Sequence, residues 1–240
     1  MLGPPENEAI ELSKRHYPGG VERMTLGKMQ NPVRGFLHGA AALASVVGLV
    51  TLIVRAAPNR TAVWSVIVFG LSLIALYTTS SLYHSVPWTQ RWKARFQRLD
   101  HAMILVLVAG SWTPVAVLAL TGTLRTVTLT VVWGAAAVGV VQKFAWPKVR
   151  VWFTIALATS MGWFVVVTLP QIARRLSLGA ILLLFIGGLC YTIGMIAFAT
   201  RRPRLFPRVF SYHEVFHVLV VAGSIAHFAM IMQYVVPLGA

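Results

Sequence analysis

Residues 209–240 read VFSYHEVFHVLVVAGSIAHFAMIMQYVVPLGA, a run in which Glu214 is the only Asp, Glu, Lys or Arg. A helix needs about 20 apolar residues to cross the roughly 30 Å of bilayer hydrocarbon, so this run reads as a membrane span and decides the fold class. It also places His213, Glu214 and His217 together at the mouth of that span. Ionisable groups in lipid are expensive and are found facing a protein interior or a water-filled cavity, which marks the cluster as a candidate site.

Working outward, the same pattern recurs along the chain. Lys, Arg, Asp and Glu are absent from 35–54, 61–90, 101–124, 126–142, 151–173 and 176–200, making seven apolar stretches with the last one. Lipid requires every backbone group to be bonded internally, and none of these stretches alternates as a barrel strand would. The expectation is an all-α integral membrane protein, a bundle of seven transmembrane helices with spans near 35–54, 62–84, 101–120, 126–142, 151–169, 179–199 and 212–236. Only 11% of the chain is charged, against about 25% in a soluble domain, which excludes an ordinary water-soluble fold.

Two regions are expected: a polar tail over 1–31, carrying Glu6, Glu8, Glu11 and Glu22 beside Lys14, Arg15, Arg23 and Lys28, and a transmembrane domain over 32–240. No apolar core of a secretory signal stands near the start, so the first span is expected to act as an uncleaved anchor. Cys190 is the single cysteine and has no partner in the chain for a disulfide.

The net charge of +15 raises the question of nucleic acid, but the charges mark membrane orientation instead. Of 21 Lys and Arg, sixteen precede the first span or follow the second, fourth and sixth, and five (Arg55, Arg60, Arg125, Arg174 and Arg175) lie on the opposite side. The positive-inside rule then puts the N-terminus in the cytoplasm and the C-terminus outside, in the cell membrane. The expected partners are membrane lipids, with anionic headgroups attracted by about 1 kcal/mol per Lys or Arg near the surface. Short loops leave little surface for a protein partner.

Topology gathers the polar groups of the spans on the cytoplasmic side. His84 ends the second span there, Asp100 and His101 begin the third, and His213 and His217 begin the seventh. His213 and His217, four apart, share one helix face as two ligands of one metal must, and Ser80 and His84 repeat the spacing. Zinc with three protein ligands keeps a fourth place for water, and His84, His213 and His217 supply three imidazoles. Asp100 could hold that water or orient an imidazole, with Ser80 hydrogen-bonding behind; Asp100 could equally cap its own helix. His38, about one turn into the first span, and His227, about 15 Å deeper than His217 by helical rise, read as hydrogen-bonding partners between helices. His16 and His101 read as interfacial or exposed. His213-Glu214-Val215-Phe216-His217 is also a literal H-E-x-x-H, in which the glutamate serves as general base of a metalloprotease. No carboxylate follows the seventh span to complete such a site.

Ser80-Ser81-Leu82-Tyr83-His84, Arg98-Leu99-Asp100-His101, and His213-Glu214-Val215-Phe216-His217 followed by Ser224 and His227 together resemble the haemolysin III-like branch of the progestin and adipoQ receptor family, related to the alkaline ceramidases. The resemblance covers about residues 31–236. It implies a seven-helix bundle with a cytoplasmic N-terminus and Zn²⁺ held at His84, His213 and His217, with Asp100 and Ser80 at the family's aspartate and serine positions.

The functional expectation is a zinc-dependent lipid amide or ester hydrolase acting on a long-chain substrate, with metal-activated water and Asp100, Ser80 and Glu214 as its candidate catalytic residues. Two alternatives stand beside it: a non-enzymatic sensor or pore-forming haemolysin, and an intramembrane metalloprotease. The spans carry no ring of charge to line a pore.

Overall fold

A computed structural model describes residues 25, 26, 29, 31–146, 151–206 and 208–239. Nearly all of the 1–31 tail, with His16, lies outside the described residues. Among the described residues there are eight α-helices and no β-strand, and the helices assemble into seven candidate membrane spans.

Helix α1 (Pro32–Ala56) starts on a proline, whose missing N–H costs nothing in a first turn. Helix α2 (Arg60–Ser85) is capped by Asn59, whose side chain accepts from the Ala62 amide at 2.9 Å. The same side chain donates to the Gly239 carbonyl at 2.7 Å, tying the α1–α2 turn to the far end of the chain. Helix α3 (Gln90–Ala119) begins eleven residues before the expected span. The charges of Arg91 to Arg98 end the apolar stretch without ending the helix, because nothing after Pro87 breaks it until the membrane is crossed. At about 1.5 Å per residue its 30 residues outrun the hydrocarbon, so its first turns stand clear of the bilayer core. There Trp88 stacks on Phe96 at 4.0 Å and Arg95 lies over the Trp92 ring.

Helix α4 (Gly122–Ala145) follows a tight turn. The fifth span is broken into α5 (Val151–Trp163) and α6 (Val165–Arg175). The Trp112 indole N–H donates to the Met161 carbonyl at 2.9 Å, claiming the acceptor that the Val165 amide would use, and Pro170 has no N–H to offer one turn further on. Side-chain insertion and proline are two established causes of helix breaks. Helix α7 (Leu178–Thr200) leads through the loop 201–211 to α8 (Tyr212–Met230), which ends in a π-turn (Ile231–Val235) and a 3₁₀ turn (Val236–Gly239).

Neighbours in sequence pack as neighbours in space, α1 on α2, α2 on α3, α3 on α4 and α7 on α8, and α8 closes the bundle against α1. Helix α3 is the most enclosed, 72% of its apolar window being buried against 11% for α1. Leu43, Val54, Trp64 and Leu178 are each more than 60% exposed. Such outward apolar faces are a liability in water and are the matched surface in lipid. Several hydroxyls inside are satisfied locally: those of Ser45, Ser65, Ser72, Thr113 and Thr168 donate to carbonyls three or four residues back.

Candidate metal centre

Two elements bring the three histidines together. His84 occupies the last turn of α2, and His213 and His217 occupy successive turns at the start of α8. Their ring centroids are 5.3 Å apart for His84 and His213, 4.9 Å for His84 and His217, and 4.9 Å for His213 and His217. One nitrogen from each lies within 4.8 Å of the other two. His84 and His217 are buried and His213 is partly exposed. An all-imidazole set suits the borderline-soft transition metals, and three ligands leave a position open. The donor set therefore fits one metal ion.

Asp100 and Ser80, both buried, stand in the wall of the same cavity as His213 and His217, and the Ser80 hydroxyl interacts with the Asp100 carboxyl. Asp100 lies eleven positions into α3 rather than at its start, so it does not cap that helix. His101, expected at the surface, lines this cavity too.

Glu214 has a defined structural engagement. One carboxylate oxygen accepts from the Arg34 Nε–H at 2.7 Å, and the other accepts from the backbone N–H of Ser211 at 2.8 Å. The second contact is the reciprocal half of a capping box and fixes the entry of α8. Arg34, counted from sequence among the cytoplasmic charges, is instead 5% exposed within the bundle. The available signal was that Asp100 and Glu214 are the only acids beyond the N-terminal tail, so a buried arginine near the same membrane face had few possible partners.

The two secondary histidines separate. His227 pairs its Nε2 with the Leu184 carbonyl at 3.2 Å and stays outside the cluster, linking α7 to α8 as expected. His38 sits behind the cluster, its Nε2 2.9 Å from Nδ1 of His217.

From the histidines an apolar cavity of about 140 Å³ runs between α3, α5, α7 and α8, far above the roughly 10–15 Å³ that one water needs. His217 and Met230, thirteen residues apart on α8, both line it, a run of about 20 Å by helical rise. Trp163 and Leu189 line it and are also 40% and 47% exposed, so it reaches the outer surface between α5 and α7.

A seven-span helical protein with a three-histidine cluster at one end of an apolar cavity defines the class: an integral, multi-pass protein of the cell membrane. The chain belongs to the haemolysin-III related family, whose pattern it matches over residues 27–228. It is 32% identical over 202 residues to the hemolysin-3 homolog of Bacillus subtilis (strain 168), covering 83% of this chain and 91% of the relative. It is 30% identical over 219 residues to hemolysin-3 of Bacillus cereus, covering 90% of this chain and 97% of the relative.

Proposed function

We propose that this protein is a zinc-dependent hydrolase of long-chain lipid amides or esters, oriented with its N-terminus in the cytoplasm. The observation that carries the reading is the position of the histidine cluster at the polar head of an otherwise apolar cavity, with Asp100 and Ser80 in the same wall. Zinc bound by His84, His213 and His217 would polarise a carbonyl and bring the pKa of a water near neutrality. The cavity takes the acyl chain, at about 0.8 kcal/mol for each methylene buried, and so holds the head group in register with the site. A carboxylate oxygen of Asp100 takes a proton from the attacking water and returns it to the leaving nitrogen or oxygen. Ser80 orients that carboxyl group. Glu214, with both oxygens engaged, anchors Arg34 and α8, which weighs against the metalloprotease reading that needs it as a base.

The test begins with elemental analysis of detergent-purified protein. About one zinc per chain is expected, lost in both His84→Ala and His213→Ala. Turnover is then measured on a panel of ceramides, acyl amides and lysolipids; a fully zinc-loaded protein inert to all of them removes the hydrolase reading. The second reading, a haemolysin, is favoured by the names of the two relatives. It predicts dye leakage from liposomes that persists in His84→Ala, whereas hydrolysis must stop.

A further inference from the structure

The first helix supplies no member of the histidine cluster, yet besides the Arg34–Glu214 pair it touches one of the three histidines directly, through His38. We infer that His38 is a positioning residue for His217, fixing which ring nitrogen His217 presents to a metal; this rests on the metal reading above and extends it to α1.

The His38 and His217 rings are 4.0 Å apart and tilted by 43°, both almost wholly buried, with Nε2 of His38 2.9 Å from Nδ1 of His217. A contact of that length between two imidazole nitrogens holds one proton. Because Nδ1 of His217 faces His38, Nε2 is the nitrogen left to face His84 and His213. A neutral imidazole ligates through its unprotonated nitrogen, so a metal at the cluster requires the His217 proton on Nδ1, donated to Nε2 of His38. Partners of this kind behind a ligand set its tautomer and ring orientation and raise its basicity. His38 itself is not one of the three residues whose ligand atoms converge.

His38 is held in turn. Its ring stands edge-on to Tyr77 at 4.9 Å, the Tyr77 hydroxyl donates to Ser224 Oγ at 2.7 Å, and the Tyr191 hydroxyl meets the same Ser224 oxygen at 2.9 Å. This strut links α1, α2, α7 and α8 directly beneath the cluster. The other His38 nitrogen, Nδ1, is buried and has no hydrogen-bond partner among the described residues, so its contact with His217 orients the ring.

The test measures zinc affinity of the full-length protein in detergent by competition with a chelator, for wild type, His38→Phe and His38→Gln. Phe keeps a ring against Tyr77 but offers no acceptor, and a 10–100-fold rise in the zinc Kd is expected, the usual loss when such a partner is removed. Gln, whose amide oxygen can accept from Nδ1–H, is expected to restore most of the affinity. The cobalt-loaded protein should show an altered visible absorption spectrum in His38→Phe and a near-native one in His38→Gln. A His38→Phe protein that melts at a lower temperature without metal but binds zinc as wild type does would make His38 a packing group and overturn the inference. Should His38→Phe not fold, His38→Leu is measured instead: a rise in Kd supports the positioning role and an unchanged Kd overturns it. Wild type that binds no zinc fails at the earlier step, the metal reading itself.

Discussion

Arg34 and Glu214 are 180 positions apart and meet at 2.7 Å inside the bundle, each less than a tenth exposed. Burying two charges is costly, and removing one partner leaves the other uncompensated, a loss of about 3–5 kcal/mol. Arg34→Met is therefore expected to lower the melting temperature in detergent sharply. Arg34→Met combined with Glu214→Leu should recover part of the loss, keeping a deficit of about 0.5–2 kcal/mol for the missing α8 cap. A double variant no more stable than Arg34→Met would show that the pair is not what couples the two sites. At this scale the histidine pair was legible from sequence, because four-residue spacing on one helix is local geometry. The Arg34 pairing and the His38 contact were not, because each joins α1 to α8 and exists only once the bundle closes.

The elements show where apolar runs and helices part company. All seven spans were legible because a stretch free of charge for some 20 residues has few alternatives in lipid. The early start of α3 and the break at Phe164 were not: the first depends on helix formers that happen to be charged, the second on a Trp112 side chain from another helix. Packing between α7 and α8 relies on small residues, as membrane helix contacts commonly do. A Cβ at Gly187 would collide with the His227 ring and meet the Gly223 carbonyl at 3.1 Å. The backbone oxygen cannot move aside as a side-chain end can. Gly187→Val is expected to separate the two helices and cost about 1–3 kcal/mol, read as a lower melting temperature in detergent. An unchanged melting temperature would show that this contact yields easily.

The whole molecule joins a polar end to an apolar interior, and the charges predict its orientation: a reporter that is active only outside the membrane is expected to work when fused after residue 240 and to be silent when inserted at 146–150. The reverse pattern would invert the topology and move the cluster to the outer face. The cavity was not legible in the sequence, since its wall draws on α3, α5, α7 and α8 and on how the fifth span is broken. It can be tested without disturbing the helices. Gly188 lines it, and a Cβ there meets nothing within 4 Å, unlike Gly187 beside it. Gly188→Trp should therefore fold and keep its metal while filling the space an acyl chain would occupy. Under the hydrolase reading, turnover of long-chain substrates should fall at least tenfold, chiefly through KM, while short-chain analogues that engage only the polar end are cleaved as before. Equal loss for both would place the obstruction at the histidines, and no loss for either would mean that the chain lies elsewhere. Because the zinc content is measured on the same sample, a collapsed site and a blocked cavity give different results.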